Sequence, residues 1–104
     1  MKTAELTGAA LDWAVAVCEH NVGWAPEGED RDYYSTNWAQ GGPIIAREKI
    51  RIDTTWNGED GHWSARIDSV GGWWLGETPL IAAMRCLVAS KLGDTVEVPK
   101  ELTE

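Results

Sequence analysis

Hydrolytic catalysis needs a nucleophile beside a base, most often a histidine. This chain has two histidines, His20 and His62, and no motif sets either beside a serine or cysteine. A closed zinc site would have to gather His20 and His62 with Cys18 and Cys86. Cys18 and His20 stand only two residues apart, and on a helix such neighbours diverge. The stretch "GEDG" at 58–61 is too short for a calcium loop of the EF type. No phosphate-cradling glycine pattern of the Walker or Rossmann kind occurs. The sequence therefore predicts no catalytic residue, no metal and no cofactor. What remains is the chemistry of recognition. Tyr33, Tyr34, Trp38, Gln40, Trp73, Trp74 and Arg85 combine aromatic faces, an amide and one guanidinium. Aromatic faces stack bases or anchor protein interfaces, and arginine meets phosphate or carboxylate.

The elements that must position these residues follow from periodicity. Leu11, Val15 and Cys18 recur at four and three residues, with Ala10, Ala14 and Val17 widening the stripe. That spacing predicts a helix over 8–19 capped by Thr7. A long acidic loop fills about 20–34. A second helix follows, with Ser35 or Thr36 as its cap, and Pro43 should kink it or restart it. "IRIDTTW" (50–56) and "HWSARID" (62–68) alternate as strands about a hairpin loop at 57–61. Their charged face should collect Arg51, Asp53, Arg66 and Asp68 as opposite-charge pairs, while Trp56 and Trp63 meet on the other. "GGWWLGE" (71–77) supplies a short third strand or a turn. Neighbouring side chains in a strand point oppositely, so one of Trp73 and Trp74 should face water. Thr78 and Pro79 start a third helix that ends at Gly93. Leu80, Met84, Leu87, Val88 and Leu92 form its stripe, and Arg85 stands either at its rim with an acidic partner or in a site. Val96 to Val98 offers an edge strand. The expected fold is α+β: a small antiparallel sheet of two to four strands packed with three helices, in the order α-α-β-β-(β)-α.

At 104 residues the chain suits one domain with one core. Seven tryptophans exceed what so small an interior absorbs, so one or more indoles should be exposed. The net charge of -8 argues against non-specific binding to duplex DNA or to an anionic membrane. Glu27, Glu29, Asp30 and Asp32 form one acidic cluster, and 94–104 an acidic tail. No run of apolar residues is long enough to span a bilayer, and no signal peptide opens the chain. These features predict a cytoplasmic protein with reduced thiols.

Three blocks carry a resemblance. "ELTGAALDWAVA" (5–16), "YSTNWAQGGPII" (34–45) and "TPLIAAMRCLVASKLGDTVEVP" (78–99) stand in the order in which they occur in the NinX family of lambda-like phages and prophages, which the chain resembles. The plan is also similar, more loosely, to the phage alpha-beta-alpha sandwich domain. The resemblance implies a phage or prophage origin and expression in the bacterial host's cytoplasm. It transfers no catalytic residue. Two functions are then expected to compete. One is a non-enzymatic accessory protein, counter-defence or regulatory, that engages a host protein through exposed Trp and acidic surface. The other is a sponge that sequesters a host immune signalling nucleotide in a Trp/Tyr/Arg pocket. A homodimer burying spare indoles is compatible with both.

Overall fold

A computed structural model describes residues 1–20, 33–54 and 62–102. The expected order holds: α1 (Gly8–His20), α2 (Trp38–Glu48), β1 (Arg51–Thr54), β2 (Trp63–Arg66), β3 (Trp74–Gly76) and α3 (Pro79–Leu92). The hairpin loop at 57–61, Trp24, Trp56 and most of the acidic loop lie outside the described residues.

The three strands form one antiparallel sheet in the order β1-β2-β3. Ala65 stands between Ile52 and Trp74, and Ser64 between Asp53 and Leu75. Period-two alternation therefore sends Ile52, Trp63, Ala65, Ile67, Trp74 and Gly76 inward and Arg51, Asp53, Arg66, Trp73 and Leu75 outward. The inner face packs on α3, and α1 and α2 make their closest contacts with α3 rather than with the strands. This central helix buries Leu80, Ala82, Ala83, Met84, Cys86, Leu87 and Val88, a set that covers more than one face. Small residues let its neighbours close in. A Cβ at Gly76 would meet the Ala82 backbone, and one at Gly41 would stand 2.5 Å from the Tyr34 carbonyl oxygen.

Several local details differ from the sequence reading. The cap of α2 is Asn37, whose Oδ1 accepts from the Ala39 N–H at 2.8 Å, and not Ser35 or Thr36. Ser35 is buried and its backbone N–H is committed elsewhere. α2 is one continuous helix across Pro43, so it does not restart there. Pro43 has no N–H to give the Ala39 carbonyl, but both residues are exposed, where water can serve the orphaned oxygen. Leu92, assigned above to the buried stripe, is exposed at the last turn of α3. Arg51 lies opposite Arg66 rather than opposite an acid. Asp68 relieves that repulsion, with Oδ2 2.8 Å from an Arg51 terminal nitrogen and Oδ1 3.6 Å from Arg66 Nε. Val96 does not extend the sheet. The tail pairs instead with the start of the chain in an isolated antiparallel bridge, Lys2 to Thr95. The Thr3 hydroxyl donates to the Gly93 carbonyl at 2.7 Å beside it.

Candidate functional site

The seven residues singled out by chemistry do not gather in one place. Tyr33, Trp38 and Gln40 come together where the chain enters α2. The Tyr33 carbonyl accepts from the Asn37 N–H at 2.7 Å and from the Thr36 N–H at 3.2 Å, closing a turn. The Tyr33 N–H donates to Gln40 Oε1, so the first turn of the helix reaches back and fixes it. Trp38, the first residue of α2, is 54% exposed and Tyr33 is 47% exposed. The Trp38 ring edge lies close to Gly42, one turn on. A large aromatic surface is thus displayed on backbone that hydrogen bonds hold still.

Tyr34 belongs to the interior. It is buried, and its hydroxyl lies 3.3 Å from His20 Nε2 in a hydrogen bond. Trp73 and Trp74 point to opposite faces of the sheet, as alternation requires. Trp74 packs partly buried against the core, while Trp73 is exposed on the outer face with the Arg66 guanidinium 5.6 Å from its ring centroid. The seven residues therefore do not line one cleft. Among the described residues the other two tryptophans, Trp13 and Trp63, are partly buried.

Arg85 ends in neither of the settings expected for it. Its Nε donates to the Leu6 carbonyl at 2.7 Å and its Nη1 to the Leu75 carbonyl at 2.8 Å. It straps the start of the chain and β3 to α3 through backbone oxygens, with no carboxylate in those bonds. Burial lowers its pKa below the ordinary arginine value, and the charge of Glu77 acts the other way. Arg47, Arg51 and Arg66 are also engaged. Arg47 grips Glu19 with two bonds of 2.8 and 2.6 Å and holds Glu48 through Nε at 2.9 Å. Lys91 joins the same Glu48 at 3.5 Å, so the cluster ties α1, α2 and α3 together. Donation to Glu19 and then to Glu48 raises the Arg47 pKa, and the bond accepted from Arg47 lowers that of Glu48.

Asp12 is the residue that the sequence reading passed over. It is fully buried in α1, and its Oδ1 accepts from the Ser35 N–H at 2.8 Å. The bond fastens the 33–37 turn, and with it the Tyr33–Trp38 surface, to the first helix. The available signal was a lone carboxylate next to the Leu11 stripe.

Among the described residues no three His, Cys, Asp or Glu side chains group as a metal site requires. No helix among them is long and apolar enough to cross a membrane. Burial is the largest influence on both thiols and pushes Cys18 and Cys86 to about 11. A thiol with that pKa is about 0.1% thiolate at pH 8. Iodoacetamide at pH 8 is therefore expected to label both cysteines about a hundredfold more slowly in the folded chain than in urea, as read by mass spectrometry. Equal rates would contradict this packing.

Comparison with curated proteins returns no match. A family model described as bacteriophage P22 NinX matches residues 2–91, which include all six principal elements except the end of α3. The matched stretch contains the capped turn, the Trp38 surface, the sheet and the Arg85 strap. On that match the chain belongs to the bacteriophage P22 NinX family.

Proposed function

We propose that this phage accessory protein works by binding and not by catalysis, engaging a host protein in a counter-defence or regulatory role through Tyr33 and Trp38. The observation that carries this reading is the exposure of Trp38 on a pinned turn. Interfaces draw most of their energy from a few aromatic or arginine anchors. An anchor already held in place loses little freedom on docking. Glu27, Glu29, Asp30 and Asp32 directly precede Tyr33 in the sequence. Their charge suits a basic host surface and speeds encounter with it.

The test is capture of host proteins by the wild-type chain and by Trp38→Ala, followed by calorimetry with the purified partner. The expected loss on Trp38→Ala is about thirtyfold in affinity, matching a hot-spot indole. Thermal stability should be nearly unchanged, because the ring is largely in water. Recovery of the same partners with the same affinity by both proteins would refute the reading. The acidic contribution is read separately: Glu29→Lys with Asp30→Lys is expected to slow association, and an unchanged affinity removes the charge argument. The nucleotide sponge retains one supporting observation, two exposed aromatic rings on one turn that could stack a base. It lacks its cation, since Arg85 is committed to two carbonyls. Heat on titrating cyclic dinucleotides or ADP-ribose derivatives, lost in Trp38→Ala, would shift the assignment to that function.

A further inference from the structure

We infer that the outer face of the sheet pairs with the same face of a second copy of this chain, giving a two-fold homodimer. This surface is separate from the Tyr33–Trp38 turn, so the two proposals stand or fall independently. Its apolar part lies along the edge strand: Trp73, just before β3, is 47% and Leu75, within β3, is 49% exposed. No described helix packs there, and Arg51 and Asp53 on β1 are exposed beside them. Arg66 lies over the Trp73 ring and widens the flat surface.

The charge of the face identifies what covers it. Arg51 and Arg66 stand against Asp53 and Asp68, two positive and two negative, so the face is neutral on a chain of net charge -8. A basic protein finds no net attraction here. A nucleic acid meets two aspartates beside the two arginines, of which Arg51 is already paired with Asp68. A second copy brings the same two arginines and two aspartates in mirrored roles, which is what an isologous interface demands. Elsewhere two acidic molecules repel, so this is the face on which they approach at least electrostatic cost. Trp73 and Leu75 then lie near the two-fold axis, where each apolar contact is made twice.

Sedimentation equilibrium of the full chain tests this across the micromolar range. The wild-type protein is expected at twice the chain mass. Leu75→Glu is expected to raise the dimer dissociation constant at least about a hundredfold, because it sets two buried carboxylates against each other across the axis. Trp73→Ser is expected to act in the same direction through lost apolar contact. Both side chains are half exposed in the single chain, so circular dichroism should report an unchanged fold. Trp38→Ala, on the other surface, should leave the dimer intact. A wild-type chain that stays monomeric at the highest concentration overturns the proposal. So does a dimer whose affinity is untouched by Leu75→Glu.

Discussion

Gly76→Ala is expected to destabilise the protein by about 3 kcal/mol, the upper part of the range for overpacking a close-packed interior. Gly76 is the last residue of β3, buried against the first turn of α3. An added methyl carbon would meet the Ala82 amide nitrogen, stand 2.9 Å from Ala82 Cα and 2.9 Å from Ile81 Cγ2. Two of these atoms are helix backbone and cannot rotate away. The strand or the helix must shift, and α3 is the body on which the other elements rest. For a chain of this size the expected fall in melting temperature is roughly 12–24 °C. Gly72→Ala is the internal comparison. Gly72 has a φ of +76° but open space around it, so its cost is conformational only, about 1 kcal/mol. Calorimetric melts of the two variants should therefore separate clearly. Equal melting temperatures would mean that β3 and α3 do not approach as described.

The second large effect is expected at Asp12. Asp12→Ala removes the acceptor for the Ser35 N–H in a place that water does not reach. An orphaned buried donor costs about 1–3 kcal/mol. Asp12→Asn keeps an oxygen of nearly the same position and should lose less. Urea midpoints rank the three proteins, with wild type highest and Asp12→Ala lowest. Amide exchange supplies the sharper reading: the Ser35 amide should lose its protection in Asp12→Ala under native conditions. Because that bond holds the turn from which Trp38 projects, partner affinity should fall as well, although Asp12 is buried beneath the surface that a partner would meet. A protected Ser35 amide in Asp12→Ala would show that the turn is held by other means.

Periodicity carried most of the architecture. The four-and-three spacing of Leu11, Val15 and Cys18, and the alternation through Ile52, Ala65 and Ile67, report directly which face is buried, and burial is what organises a small domain. Thr78 and Pro79 marked the start of α3 because a cap and a fixed φ are local requirements, and the Thr78 hydroxyl does accept from the Ile81 N–H at 3.1 Å. Long-range polar pairing was not legible. The partner of Asp12 lies 23 residues away and is a backbone N–H, which no side chain announces. Arg85 likewise ends on two carbonyl oxygens, and every residue carries one. The run Ser35-Thr36-Asn37 offered three competent caps in succession. The structure uses the third, Asn37, whose side-chain oxygen accepts from the Ala39 N–H. The alternation at Trp73 and Trp74 predicted one exposed indole, and the register with Ala65 chose Trp73.

The central position of α3 also bears on how the protein comes into being. Everything before Pro79 leaves the ribosome without the helix against which α1, α2 and the sheet are packed. At roughly 5–20 residues per second, the nascent chain spends several seconds with its apolar stripes and indoles uncovered. Thr3 waits longer still, since its hydroxyl partner is the carbonyl of Gly93. The packing of α1, α2 and the sheet therefore waits for α3 to be synthesised.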